Sequence, residues 1–134
     1  MRHEPIGYSS VQQQAQFADP FASSRSAHAC RELIRARARR SLFFKASLFS
    51  EPAWDILLEL FAADCEGRKL SISSVGLAAK IPMTTALRWI DTLERDGLVQ
   101  RHDDPLDGRR TFLTLSDKGV QAMRAYVEPQ RQGF

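Results

Sequence analysis

Cysteine, histidine and glycine are scarce in this chain, and each scarcity removes a class of function. Only two of its 134 residues are cysteines, Cys30 and Cys65, far apart and in no paired motif. The sequence therefore encodes neither a disulfide framework nor a thiolate metal knuckle. The pair reads as reduced, partly buried thiols; nothing favours the sharper alternative of a peroxide sensor. The three histidines, His3, His28 and His102, are scattered, so no His/Cys/Asp cluster has metal-ligand spacing. The seven glycines build no glycine-rich phosphate loop. No apolar run approaches the roughly 18–20 residues that cross a bilayer. The opening MRHEPIGYSSVQQQAQ also lacks the apolar centre of a secretory signal. These absences predict a cytoplasmic protein with no membrane contact, no cofactor and no enzymatic activity.

Excess charge is also small, a formal +3, but it is unevenly spread. Residues 27–45 carry Arg31, Arg35, Arg37, Arg39, Arg40 and Lys45 against Glu32 alone. Residues 51–66 carry Glu51, Asp55, Glu59, Asp64 and Glu66 with no base. Two helices packed with opposed faces would explain this, and so would a basic surface that draws in a polyanion. The face at Arg31, Arg35 and Arg39 fits both explanations.

The length suits one domain with a modest core. Residues 1–25 lack sustained periodicity and read as a mobile arm; residues 26–134 form the domain. A helix is predicted from Ser26 to Arg40, followed by the apolar SLFFKASLF. A second helix has Ser50 as N-cap, Pro52 in its first turn and Gly67 as its stop. A short extended piece, 69–72, leads to a helix capped by Ser73. Ile81-Pro82 interrupts it, and a further helix, about 83–96, ends at Gly97. Leu98-Val99 opens a strand whose partner is Thr111–Leu115. Ser116-Asp117 caps a last helix that stops near Pro129. The fold class is thus mainly α with a small β-hairpin (α+β).

Helix, tight turn and helix from Ser73 to Arg95 suit a helix-turn-helix, whose second helix enters the DNA major groove. Ala86, Ile90 and Leu93 occupy core spacing, which leaves Thr84, Thr85, Arg88, Asp91 and Arg95 outward. Hydroxyls and a guanidinium in the first turns suit base edges and phosphates. The hairpin that follows has the position of a wing, over about 103–111. Its text, DDPLDGRRT, puts Arg109 and Arg110 near the tip. There Gly108 permits the turn and Asp107 holds an arginine extended for a narrow minor groove. Asp103, Asp104 and Asp107 resemble a magnesium site in composition only, because the adjacent arginines oppose a cation. Trp89 reads as core or core-edge packing, and His102, at the base of the wing, as a phosphate contact or a simply exposed group.

From Leu70 to Gly119 the chain resembles the winged helix of the MarR family of bacterial regulators. The resemblance rests on TTALRWIDTLERDGLVQR followed by DPLDGRRTFLTLSDKG. It implies a winged helix-turn-helix with flanking dimerisation helices, acting as a sequence-specific regulator on double-stranded, roughly palindromic DNA. Carried over, it puts Thr84, Thr85 and Arg88 in the major groove and Arg109 in the minor groove. Asp107 would brace Arg109, Arg110 would lie near phosphate, and Ser73 and Ser74 would touch backbone. Lys80 and Arg95 would add salt-dependent affinity. Leu106 departs from the pattern by replacing the first arginine of the wing. A homodimer is implied, clasped through Leu33, Phe43, Phe44, Leu48, Phe49, Met123, Tyr126 and Val127. Aromatic content near 43–61 permits a cleft for a small aromatic effector. The rival reading is a winged helix that binds another protein instead of DNA.

Overall fold

Apolar periodicity and turn residues cut the chain into helices and short strands, arranged in the order the sequence predicts. The computed structural model describes residues 21–40, 42–44 and 51–128. Its elements are α1 (Ala22–Arg40), α2 (Pro52–Cys65), β1 (Leu70–Ser71), α3 (Ile72–Ala79), α4 (Met83–Arg95), β2 (Val99–Asp104), β3 (Asp107–Leu115) and α5 (Asp117–Val127). Residues 1–20 of the expected arm, His3, Ser41, Lys45, Leu48, Phe49, Ser50 and Pro129 lie outside the described residues.

Four boundaries differ from expectation. The first helix starts at Ala22, not Ser26, so residues 22–25 of the expected arm are its first turn. Glu51 occupies the N-cap position of α2 with no side-chain cap bond, and Pro52 begins the helix. The cap of α3 is Ser71 in place of Ser73, because the Ser71 hydroxyl is the one that accepts the Ser74 amide, at 3.1 Å. Strand β3 starts at Asp107, four residues before the expected Thr111.

The short extended piece before α3 joins the hairpin as a third strand. The sheet is antiparallel in the order β1-β3-β2, with Leu70 opposite Leu113 and Val99 opposite Leu115. Alternation along β3 turns Leu113 and Leu115 inward. They meet Ile56, Leu58, Phe61, Val75, Ala86, Ile90, Leu93, Met123 and Val127 in one core. The expected inward set of α4, Ala86, Ile90 and Leu93, is buried, and Trp89 packs at the core edge.

The uneven charge is largely spent inside the chain. Arg31 of α1 reaches Glu59 at 3.2 Å and Glu66 at 3.1 Å; Arg37 reaches Glu51 at 3.0 Å and Asp55 at 2.6 Å. The Arg31 guanidinium holds the Glu66 carboxyl below the usual carboxylate range. Arg35 pairs along its own helix with Glu32. Opposed-face packing therefore accounts for Arg31 and Arg37. Beneath them, buried Cys30 donates to the Leu58 carbonyl at 3.2 Å.

The N-terminus of α5 is jointed to the strand entry. The Ser116 hydroxyl donates to the Gly97 carbonyl at 2.6 Å and accepts the Gly119 amide at 3.0 Å. The Ser116 amide donates to the Leu98 carbonyl at 2.9 Å. A Cβ at Gly119 would collide with that same Leu98 carbonyl, so glycine is required there for close approach.

Candidate nucleic-acid interface

Helices α3 and α4 meet at a turn built by a strained lysine and a proline. Lys80 has φ +59° and ψ +45°, the one left-handed non-glycine among the described residues. Its amide donates to Leu77 O at 3.1 Å, and the Ile81 amide donates to Gly76 O at 3.1 Å. This is the paired closure of a Schellman stop, which usually recruits glycine. Pro82, extended at ψ 149°, then leads into α4 without a side-chain cap. The first turn of α4 therefore lacks the side-chain acceptor that an N-cap residue usually supplies.

On α4, Thr84 and Arg88 are exposed and Thr85 is half-buried, while Arg95 is exposed at the last residue of the helix. Arg95 donates to the Thr92 hydroxyl at 3.4 Å. The exposed faces of Thr84, Arg88 and Arg95 stand opposite Ala86, Ile90 and Leu93, as helical spacing requires. Ser73 is exposed at the start of α3. Ser74 is half-buried, and its hydroxyl accepts from Ser71 at 3.0 Å. The Lys80 side chain extends from the turn between the two helices.

Arg101 links this helix to the sheet, a role the sequence reading did not assign. From β2 it pairs with Asp91, and with Glu94 at 3.0 Å. The two acidic groups of α4 are thereby paired with a base from the sheet. The only sequence signal for this is the charge of β2 facing that of α4, which becomes legible once their packing is known.

The wing is longer than the expected 103–111. Its strands run from Val99 to Leu115, and its apex is Pro105-Leu106. Arg109 and Arg110 thus sit on β3 just past the apex. Asp107 accepts the Arg109 amide at 3.0 Å and its Nε at 3.3 Å, while the Arg109 side chain stays 93% exposed. Arg110 is held differently. It donates to Asp104 at 2.9 Å and stacks over Phe112 with its guanidinium 5.2 Å from the ring centre. Asp104 is only 5% exposed and also accepts the Leu106 amide at 2.9 Å. That amide bond first, and Arg110 beside it, hold the Asp104 carboxyl below the usual aspartate range. Like that of Arg101, this bracing position of Asp104 was not assigned from sequence; the Asp-Pro turn signal was visible, but the inward orientation was not. Among the described residues no group of His, Cys, Asp and Glu is placed to hold a metal ion. His102 lies at the base of the wing within 2.9 Å of the Thr114 hydroxyl.

The expected dimer residues divide. Phe43, Phe44 and Tyr126 are exposed. Met123 and Val127, expected at the clasp, are instead buried in this chain's own core, because α5 lies back against α2 and β3. Leu33 is partly buried against that core. Tyr126 meets Trp54 edge-on, with ring centres 5.1 Å apart at 84°. These two rings, Leu57, Leu98, Ala122 and Met123 line a cavity of about 470 Å³ with Glu51 at its side.

A family model described as a winged helix DNA-binding domain matches residues 52–119. Among solved structures, the fold is similar to that of MepR of S. aureus in complex with DNA, at 19% identity and a TM-score of 0.54, over 76% of this chain and 81% of that one. It is similar to the transcriptional regulator PA4135 at 28% identity and a TM-score of 0.52, over 75% and 76%. AF1382 of Archaeoglobus fulgidus shares the fold at 24% identity and a TM-score of 0.51, over 66% and 88%. No curated protein matches the sequence.

Proposed function

The chain belongs to the family of winged helix DNA-binding domains, and from that premise we propose that it regulates transcription by binding specific double-stranded DNA. The MarR-like resemblance of residues 70–119 falls within the matched span 52–119. One observation carries the proposal: a recognition helix with Thr84 and Arg88 outward is joined through the Arg101–Glu94 ion pair to a wing with a braced, solvent-extended Arg109. Arg88 reads a base edge in the major groove, worth about 1–3 kcal/mol of discrimination for a bidentate contact. Thr84 and Thr85 contribute shorter contacts beside it. Arg109 enters the minor groove, where narrow geometry concentrates negative potential. Lys80, Arg95 and Ser73 meet phosphates and set register. Arg110, tied to Asp104, positions the wing and lends charge to the same strand.

A homodimer on a roughly palindromic operator completes the proposal, with recognition helices about 34 Å apart to match one DNA turn. Exposed Phe43, Phe44 and Tyr126 support a second copy at the α1–α5 side of the molecule. The adjoining apolar cavity, with Trp54 and Tyr126 in its wall, supports a small aromatic effector. The competing reading, a winged helix that docks on protein, draws on the exposed Leu77.

The test is fluorescence anisotropy on DNA from upstream of the protein's own gene against a scrambled duplex, across salt concentrations. Tighter, steeply salt-dependent binding to the native fragment, weakened by Arg109→Ala, is the expected result. Weak binding to both duplexes and indifference to Arg109→Ala would favour the protein-docking reading.

A further inference from the structure

The apex of the wing is apolar. Leu106 is 94% exposed, the most exposed of the large hydrophobic side chains among the described residues, and exposed Pro105 precedes it. An exposed leucine at a floppy turn would be unremarkable, since single apolar side chains are common on surfaces. This turn is not floppy. The Leu106 amide is pinned at 2.9 Å by the buried carboxylate of Asp104, which the Arg110 guanidinium holds in place from the other side, also at 2.9 Å. Proline fixes the φ of the residue before the leucine. The apex is thus a preformed point, and the leucine is carried at its end without touching the core.

Charge is arranged around that point in a particular way. Arg110 is drawn back along the strand by Asp104 and by the Phe112 ring. Arg109 is left extended, three residues from the leucine, with Asp107 holding its base. A wing built only to meet phosphates would gain from a cation at the apex. Here the cation flanks an apolar tip. Minor-groove proteins use that combination when a Leu, Ile, Met, Phe or Pro side chain enters between base pairs while neighbouring arginines hold the walls of the groove.

We propose that Leu106 is an apolar wedge that inserts at a base step in the minor groove, unstacks it and bends the operator. The proposal rests on the DNA-binding reading above and adds a specificity-determining residue to it. Unstacking is easiest at pyrimidine–purine steps. The wing therefore selects such a step at a fixed distance outside each major-groove half-site, through deformability instead of base-edge hydrogen bonds. Asp104 acts as a positioning residue: it aims the leucine and does not touch DNA.

The experiment begins with duplexes enriched by the full chain from a random library. In one enriched duplex, 2-aminopurine is placed at the outer pyrimidine–purine step, and donor and acceptor dyes are placed at the ends. The wild-type protein should raise 2-aminopurine fluorescence several-fold and shorten the end-to-end distance. Leu106→Ala should abolish both signals and weaken binding on the order of tenfold. Leu106→Met, a wedge of similar size, should restore them. Fold is not in question, because the side chain is almost wholly in solvent. Tight binding with neither signal in the wild-type protein overturns the wedge and leaves the DNA-binding reading standing. Signals that persist in Leu106→Ala also overturn it. Failure to enrich any duplex overturns both readings together.

Discussion

Lys80 sits where stability and DNA affinity make opposite demands. Its left-handed conformation, φ +59° and ψ +45°, closes α3, and an L-residue pays about 1–2 kcal/mol to adopt it. Glycine would adopt it freely, but would lose about 0.5–1 kcal/mol more chain entropy on folding. Lys80→Gly should therefore stabilise the fold by about 0.5–1 kcal/mol and raise the melting temperature by about 2–8 °C. The closing hydrogen bonds from Lys80 and Ile81 are made by backbone and survive the change. DNA binding should move the other way. Losing one phosphate contact per half-site should flatten the slope of log affinity against log salt by about 0.9 per half-site. Lys80→Ala separates the two effects, because it keeps the strained backbone and removes the charge. It should match Lys80→Gly in the salt titration and gain nothing in thermal denaturation. Calorimetry and anisotropy on the three proteins check both arms. A glycine variant no more stable than the alanine variant would refute the strain argument; an unchanged salt slope in both would refute the phosphate contact.

Three further predictions follow from the joint, the wing and the thiols. Gly119→Ala should destabilise the protein by about 1–3 kcal/mol despite alanine's better helix propensity, because the new methyl meets the Leu98 carbonyl and neither backbone can yield; urea denaturation measures it, and equal midpoints would remove the joint from the account. The depressed Asp104 carboxyl adds stability that is complete above the ordinary aspartate pKa and lost as pH falls through its lower folded value. As pH falls below the ordinary aspartate value of about 4 and through the lower folded one, the Leu106 amide should lose hydrogen-exchange protection, and Asp104→Asn should remove that pH dependence; protection that stays flat into strong acid contradicts the brace. Burial, foremost, pushes the Cys30 thiol up to about 12 and the Cys65 thiol up to about 11. Both should react with iodoacetamide at pH 8 far more slowly than a free thiol, Cys30 slowest; rapid labelling of the native protein would restore the peroxide-sensor alternative.

Element order, the core face of α4 and the winged character were legible in the sequence because they are local. A 3.6-residue apolar period, a serine cap, Pro82 and Gly97 each act within a few residues of themselves. The same locality made Asp107 readable as the brace of Arg109, two positions away. Boundaries set by partners were not readable. Ser71 took the cap from Ser73 where β1 pairs with the distant β3, and β3 grew back to Asp107 because that residue pairs with Asp104 across the hairpin turn. Thr84 and Arg88 were predicted outward from periodicity alone, whereas Met123 and Val127 were misplaced at a clasp, since an apolar helix stripe does not state which surface will cover it.

What the sequence determined by itself is the set of elements and the chemistry each one carries. What only the tertiary structure decided is how those charges are spent. Arg31 and Arg37 went to the acidic face of α2, Arg101 to Asp91 and Glu94, and Arg110 to a buried Asp104. Arg109 and Leu106 remain exposed at the wing. The reason is range: periodicity and capping are fixed by neighbours in the chain, while an ion pair forms wherever packing brings two charges within a few ångströms, and sequence distance places no limit on that.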